Sequence, residues 1–512
     1  MRGLLTLLLL GSLSLCARAQ LTMTDVQTIV NQASSRATAL GATSAVIAVT
    51  TREGEVLVVW EVNGVPATQP ILAEAVSKAG TASFLSSNQN AFTTRTAAYI
   101  TGQNFPPGIL NRPPGALVGI GLSSMSQSDT NHFRMPPFPA GPTQFSIGNP
   151  VLDSSLTVSP GGLPLYKADQ LVGGIGISGV QTELGAYASG YFESEDIALA
   201  GQGGYAPSSG ILATGVFLDG LRIPYVESST SLPAVIGPVG AADPGYPLQG
   251  APPPTPWPQV TLGGAPGQYR RRDWADPNPV DPSPIADPVV TPTPNVPDPT
   301  VRLSQAEVIQ ILAQGAARAL ITRSAIRQPL SSPSALWVVV VNNPDRTTAS
   351  FSDPTVTPRV LGLFRMNDSI NDAFDVTPQK TRTALFFSNS QFAFDSRSVG
   401  FLGQFFFPPG INGTSPGPLS QLQATVSNPA SATPFDYFLR DGLTLFGGAV
   451  PLYRNGVLIG AVGASGDGVE QDDLVAAAAS VGFVAPTNIR ADQYAYDNAR
   501  LPFVKFPRQP TR

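Results

Sequence analysis

Residues 161–179 read GGLPLYKADQLVGGIGISG, and residues 447–466 read GGAVPLYRNGVLIGAVGASG. Each stretch consists of two apolar segments around a short polar turn, and the second turn contains Asn455-Gly456. Asn-Gly between apolar segments is the strongest short-range signal for a β-hairpin. Because such hairpins join antiparallel strands, the two stretches predict an antiparallel sheet in two places along the chain.

Both hairpins belong to an internal repeat within the 512 residues. Seven residues recur with a constant spacing of 302, so that Lys78, Thr81, Ala82, Phe84, Ser86, Phe92 and Arg95 match Lys380, Thr383, Ala384, Phe386, Ser388, Phe394 and Arg397. The motif Phe-Pro-Pro-Gly-Ile at 105–109 recurs at 407–411 with the same spacing. Elsewhere the spacing changes, as expected where surface loops differ in length. Two copies of about 200 residues predict two globular domains rather than a solenoid.

Each copy predicts the order helix, strands, helices, hairpin, helix. In the first copy the predicted helices cover 24–40, a segment from Pro70, 93–100 and a segment near Ser194, and the first strands cover 45–51 and 55–61. In the second copy the helices cover 304–320, a segment from Pro378, 396–402 and a segment near Glu470, and the first strand covers 336–341. Helices packed on an antiparallel sheet give an α+β fold.

A proline-rich segment separates the copies. Residues 236–300 contain Pro252-Pro253-Pro254 and repeated Asp-Pro pairs, a composition that favours extended polyproline geometry. We therefore predict a first domain over 20–235, a plain spacer over 236–300 and a second domain over 301–512.

Residues 1–19 have the pattern of an export signal. Arg2 supplies a positive charge, residues 4–10 are apolar apart from Thr6, and Ala17-Arg18-Ala19 fits a cleavage site. Lipid attachment at Cys16 is the alternative, but a bulky leucine precedes that cysteine where a small residue is expected. The pattern favours cleavage near Ala19 and a secreted or periplasmic chain.

Composition excludes several kinds of site. The net charge of −5 gives no basic face for nucleic acid. His132 is the only histidine, and no cysteine remains after cleavage at Ala19, so sites with two imidazoles or with thiolates are excluded. No later segment is apolar enough to cross a membrane. The second copy contains no histidine that could activate a serine nucleophile, which argues against a hydrolase.

The two Gly-Gly hairpins and the Lys-x-x-Thr-Ala helices that begin at Lys78 and Lys380 resemble the GlcG/HbpS-like family. The resemblance covers most of both copies. It implies profilin-like α-β-α layering, self-association and, in some members, binding of haem or a corrinoid-type ligand. The Phe-Pro-Pro-Gly-Ile segments resemble extensions of a secreted branch of that family.

Six residues kept in both copies are the candidate ligand-binding residues. They are Lys78, Arg95, Tyr166, Lys380, Arg397 and Tyr453. The cations could clamp carboxylates such as haem propionates, and a tyrosinate can bind ferric haem. The alternatives are ion pairs on helix surfaces for the cations, and packed rings with hydrogen-bonded hydroxyls for the tyrosines.

Two features are specific to one copy. His132 lies in a loop that the second copy lacks, and it is a candidate axial haem ligand with Met125 or Met135 nearby; the alternative is a solvated loop residue. The second copy is rich in phenylalanine around 386–407, which suits either a wall for a flat ligand or an ordinary core.

The glycines at 174, 176 and 179 match a dinucleotide-binding fingerprint. That chemistry needs the glycines at the N-terminus of a helix, whereas here they lie along a hairpin arm. We therefore interpret them as positions of close packing in a sheet.

These observations lead to three hypotheses for the function. The first is an exported, non-enzymatic protein whose tandem domains bind haem or a related flat ligand. The second is a structural protein that kept the fold without the ligand and acts by self-association. The third is an enzyme that acts on a small 2-hydroxy or oxidised metabolite. It rests only on the genes that share operons with some relatives.

The spacer allows the copies to meet. A coil of about 65 residues spans roughly 45 Å, and covalent linkage gives an effective concentration of roughly millimolar. We therefore expect an intramolecular pseudo-dimer with the spacer over its surface, which could also form homo-oligomers. The loops around 123–142 and 342–358 should differ most.

Overall fold

The computed structural model describes residues 19–101, 105–106, 115, 156–180, 192–226, 239–253, 257–270, 281–288, 301–344, 357–404, 406–408, 411, 413–422, 438–439 and 442–504. His132 with the neighbouring methionines, Cys16 and most of the predicted export signal lie outside these residues. The predictions made for them stay predictions.

The first copy is built on a five-stranded antiparallel sheet with the order β3-β4-β1-β2-β7. Its elements are α1 (Met23–Leu40), β1 (Val46–Thr51), β2 (Val56–Glu61), α2 (Gln69–Phe84), α3 (Thr94–Ile100), β3 (Gly162–Lys167), β4 (Gln170–Ser178), α4 (Glu193–Gly201), β5 (Phe217–Leu218), β6 (Leu221–Arg222) and β7 (Ala241–Ala242). The short strands β5 and β6 form a separate hairpin.

The second copy repeats this arrangement in a six-stranded sheet with the order β12-β13-β10-β11-β9-β8. Its elements are β8 (Gln259–Leu262), β9 (Ala265–Tyr269), α5 (Gln305–Ile321), β10 (Trp337–Asn342), β11 (Val360–Met366), α6 (Ala373–Phe386), α7 (Ser396–Leu402), β12 (Ala449–Arg454), β13 (Val457–Ser465), α8 (Val469–Ala479), β14 (Ala495–Tyr496) and β15 (Ala499–Arg500). The predicted capping box of Ser304 and Glu307 is present at the start of α5.

Each sheet lies between two layers of helices. Along β1, Ile47 and Val49 pack in one apolar cluster with α1, whereas Val46 and Ala48 pack in another with α2. This alternation follows from the two-residue period of a strand. The α-β-α layering confirms the predicted fold class.

The glycines of β4 allow α2 to lie directly against the sheet. A Cβ atom on Gly174 would lie 2.1 Å from the carbonyl oxygen of Ala79, and one on Gly176 would lie 2.2 Å from that of Ala75. No side chain fits at such distances, so these glycines are needed for helix–sheet packing. The dinucleotide fingerprint has no counterpart in the fold, because these residues lie within a strand.

Pro378 does not start its helix as predicted. The helix α6 begins at Ala373, and Pro378 lies inside it. A proline is tolerated in a first turn because the amide there has no helical partner. The preference of proline for a first turn therefore predicted the start of α6 too late, because residues 373–377 before it are already helical and buried.

The plain-spacer prediction for 236–300 is also wrong in part. The strand β7 pairs with β2 of the first copy, and β9 of the β8–β9 hairpin pairs with β11 of the second. Further along, the backbone N–H of Ile285 donates to the carbonyl of Leu361 at 2.8 Å. Short edge strands with polar sequences carry little apolar periodicity, so composition alone hides them.

The two copies contact each other through a buried ionic cluster. The Nη1 of Arg365 in the second copy donates to Glu53 of the first at 2.9 Å, and Arg52 pairs with Asp368 at the same distance. Burial alone would raise the pKa of Glu53, but Arg365 and Arg270 outweigh it and hold that pKa well below its usual range. Ion pairs between the two copies thus stabilise the docked arrangement.

Candidate functional site

The two lysines kept in both copies are fully buried. The Nζ of Lys78 donates to the carbonyl oxygen of Ile177 at 2.8 Å. The Nζ of Lys380 donates to the equivalent carbonyl, that of Ala464, at 3.2 Å and lies 2.5 Å from Asp472. Both ammonium groups therefore tie the helix above the sheet to the hairpin strand beneath it, and neither faces a ligand site.

The two arginines connect the short helix of each copy to its last helix. In the first copy Arg95 makes a bidentate pair with Glu195, with its Nε 2.9 Å from Oε1 and its Nη2 2.5 Å from Oε2. In the second copy the Nε of Arg397 contacts Asp473, and its Nη2 lies 3.4 Å from Glu470. Burial lowers the pKa of Arg397, but Asp473 and Glu470 outweigh that effect and raise it. The ion-pair alternative therefore describes both arginines.

The two tyrosines are buried beneath their hairpins. The hydroxyl of Tyr166 contacts the carbonyl oxygens of Ser87 at 2.7 Å and Asn90 at 2.9 Å. The hydroxyl of Tyr453 makes equivalent contacts at 2.8 and 3.1 Å. Burial raises the pKa of Tyr166 well above 10. This geometry favours a packed ring with a hydrogen-bonded hydroxyl over a tyrosinate ligand.

Tyr166→Phe is expected to lower the free energy of unfolding by about 1–2 kcal/mol, because the carbonyl oxygens of Ser87 and Asn90 each lose the hydrogen bond that the Tyr166 hydroxyl makes. Urea denaturation measures the loss, and Tyr496→Phe, in a residue that is 46% exposed, is the matched control. The expectation is contradicted if both variants unfold like the wild type.

A cavity of 510 Å³ lies between the copies. Its aromatic lining consists of Phe105 and Phe217 from the first copy and Phe401 and Phe446 from the second. Aliphatic contacts come from Leu218 and from residues that include Leu445 and Val469. The phenylalanines of the second copy thus belong partly to the core and partly to the cavity wall. Neither of the two interpretations of this segment, as a wall or as ordinary core, describes all of them.

The charged residues of this cavity do not form an anion clamp. Arg397 is the only cation among the described lining residues, and Asp219 and Glu470 bring two carboxylates. Asp473, fully buried behind Arg397, already pairs with it. The cavity therefore suits the apolar part of a flat ligand, and carboxylates of that ligand are better placed towards solvent.

A second, smaller cavity of 220 Å³ adjoins the ionic cluster. It is lined by polar side chains that include Arg52, Glu53, Glu55, Asn88 and Asp368. Burial, together with the nearby Glu53 carboxylate, raises the pKa of Glu55 to about 7. This space belongs to the docking surface, and Leu171, Val172 and Pro252 form an apolar part of its wall.

Among the described residues, no three histidine, cysteine, aspartate or glutamate side chains are placed to share a metal ion. Within the same part of the chain, no helix combines the length and apolar character needed to cross a bilayer.

Sequence reasoning missed the acidic partners of the cations. Glu195 and Asp472 lie in the first turns of α4 and α8, where acidic residues are favoured by the helix dipole alone, and Asp473 directly follows Asp472. The signal that could have identified them is the pairing of an arginine and an acidic residue in both copies, at Arg95 with Glu195 and Arg397 with Asp473.

Comparisons with known proteins found a family model and solved structures of low similarity that match parts of this chain. The solved PduOC:heme complex is 20% identical, covers 36% of this chain and 97% of its own, and has a TM-score of 0.21. Klebsiella pneumoniae protein ORFY is also 20% identical, covers 34% of this chain and 86% of its own, and has a TM-score of 0.20. A search of curated proteins gave no match. Residues 21–185 and 355–480, more than half of the chain, match the model of the family described as haem degrading protein HbpS-like. The chain belongs to this HbpS-like family.

Proposed function

We propose that the chain is an exported, non-enzymatic protein that binds haem or a related flat tetrapyrrole in the cavity between its copies. The observation that carries the proposal is the aromatic cavity of 510 Å³. Ligand sites commonly measure roughly 300–1,000 Å³ and are mainly apolar with a few polar groups. Family membership supports the same ligand class, and the sequence lacks a catalytic constellation.

The described lining fits the ring of such a ligand better than its iron. Four phenylalanines offer faces and edges against which a flat aromatic system can pack. No histidine, cysteine, methionine or tyrosine occurs among the described lining residues. A ligand to iron would have to come from elsewhere, for instance from His132, which lies outside the described residues. Haem iron would bring redox and oxygen chemistry, whereas the residues seen here would hold and orient the macrocycle.

Val469→Trp is expected to abolish binding of protoporphyrin IX. Val469 lines the cavity at the start of α8, and an indole there would occupy the space of the ring. Fluorescence titration of the mature chain should give a saturable signal for wild type and none for this variant. Val484→Trp is the matched control, because Val484 is 60% exposed and does not line the cavity.

A parallel titration with hemin separates the ring from the iron. Equal affinity for hemin and protoporphyrin IX is expected if the described lining supplies the binding energy. Tighter hemin binding that His132→Ala removes would identify the axial ligand. Wild-type protein that binds neither compound would contradict the proposal.

A structural role is the second candidate. The observation in its favour is that the cations and tyrosines kept in both copies all make hydrogen bonds or ion pairs within the chain. In this case the needs of the fold alone account for the presence of these residues in both copies. Wild-type protein whose copies are docked but which binds neither protoporphyrin IX nor hemin would favour this role.

A further inference from the structure

The proposed site has walls from two different domains. The second copy supplies α7, with Arg397 and Phe401, and the start of α8, with Val469. The first copy closes the other side with its β5–β6 hairpin, through Phe217 and Leu218. A site of this shape is incomplete when the copies are apart.

One segment of the second copy touches both the cavity and the docking contacts. Ala325 lines the cavity. Three residues on, the backbone N–H of Gln328 donates to the carbonyl of Gln89 at 2.8 Å, and its side chain donates to the carbonyl of Gly215 at 3.2 Å. Gly215 lies just before the β5–β6 hairpin, so the same segment positions the wall that the first copy contributes.

Arg327, between these residues, joins the segment to the ionic cluster. Its Nε donates to Oε1 of Gln89 at 2.8 Å, and its Nη2 lies 2.7 Å from Asp368. Asp368 in turn pairs with Arg52 of the first copy. Arg327 does not line the cavity, so it can affect a bound ligand only through the docking of the copies.

An aromatic side chain occupies part of the equivalent place in the first copy. Glu195 and Asp473 are equivalent through their pairs with Arg95 and Arg397, and this alignment puts Phe192 where the second copy has Glu470. Phe192 is buried and lies against the Arg95 guanidinium at 4.9 Å from its ring centroid. An aromatic side chain thus covers the face of the arginine that the second copy leaves open to the cavity.

From these contacts we infer that each chain binds one tetrapyrrole, and that this binding is coupled to the docking of its two copies. The inference rests on the proposed function, since it concerns the same cavity. A ligand that touches both walls binds the docked state more tightly than the separated state and shifts the population towards it. The coupling is reciprocal, so docking raises ligand affinity by the same factor.

Arg327→Ala tests the coupling in the full chain. Protoporphyrin IX should bind wild type with a stoichiometry of one and bind this variant about tenfold more weakly, a factor common for coupled sites. Gln89→Ala, which removes the acceptor on the other copy, should weaken binding in the same direction. Arg454→Ala is the control, because Arg454 pairs with Glu307 inside the second copy and its loss should leave the affinity unchanged.

Hydrogen exchange supplies a readout that does not depend on the variants. Protoporphyrin IX should slow exchange at 325–328 and at 209–222 of wild type. Unaltered exchange in the ligand-bound protein, or wild-type affinity in both Arg327→Ala and Gln89→Ala, would overturn the coupling while the proposed function stands. Two ligands per chain would overturn the single site. A wild type that binds no porphyrin would overturn the proposed function together with this inference.

Discussion

Replacing Glu53 with glutamine is expected to separate the two copies in solution. Glu53 accepts from Arg365 at 2.9 Å and lies 3.5 Å from Arg270. Both guanidinium groups also lie against the ring of Trp337, at 5.2 and 5.6 Å from its centroid. A neutral glutamine leaves these two buried charges facing each other without a carboxylate. Breaking a buried pair in this way costs about 3–5 kcal/mol, and we expect a loss of this size to separate the docked domains.

Small-angle scattering and urea denaturation together measure this effect. The wild type should scatter as one compact particle, and Glu53→Gln should scatter as two separated masses and unfold at lower urea. Glu74→Gln is the matched control, because Glu74 is half-exposed and pairs with Lys78 within one copy. A Glu53→Gln particle as compact and stable as wild type would show that the ionic cluster does not hold the copies together.

The stability of the second copy is expected to fall as the pH rises from 4 to 7. Burial raises the pKa of Asp372 to about 7, and burial with the nearby Asp473 raises that of Asp395 to about 7. Between pH 4 and 7 the folded chain therefore holds protons that the unfolded chain has released. The resulting stabilisation is complete below pH 4 and is lost as the pH approaches 7. A shift of roughly three units corresponds to on the order of 4 kcal/mol for one such group.

Asp372→Asn should flatten this pH profile and raise stability at pH 7. One carboxylate oxygen of Asp372 has no hydrogen-bond partner among the described residues, and asparagine keeps the size of the side chain while removing the group that titrates. Urea unfolding at pH 4 to 7 gives the dependence of stability on pH. Hydrogen exchange then distinguishes the stability of the second copy from that of the first. Asp169→Asn, in an exposed turn with a left-handed backbone, is the control. A wild-type profile that is flat or rises with pH would refute the assignment.

The sequence was sufficient for most of the fold because its signals are local or periodic. The hairpin of β12 and β13 follows from Asn455-Gly456, the start of α5 from Ser304 with Glu307, and the common order of elements from the repeat. Each of these signals lies within a few residues or recurs at a fixed spacing. They needed no knowledge of which distant residues meet.

The site could not be predicted in the same way. The sequence presents Lys380 and Arg397 as cations open to a ligand. The carboxylates that neutralise them, Asp472 and Asp473, lie 92 and 76 residues further along the chain. Phe217 of the first copy and Val469 of the second meet only through docking of the domains. Composition showed that the second copy is rich in phenylalanine but could not place these side chains around one cavity.

The strands contributed by the proline-rich segment limit the positions at which recombination could divide the gene and leave both sheets complete. The backbone N–H of Ala251 donates to Leu21 at 2.8 Å, so the segment belongs to the first copy at least that far. Trp257 already lies against Arg270, beside the strands that complete the second sheet. A breakpoint at 235 or at 300 would therefore leave one descendant with an unfinished sheet edge. A duplication or recombination event that keeps both sheets complete must break the chain between 253 and 257. Each copy is then inherited together with the part of the connecting segment that completes its sheet.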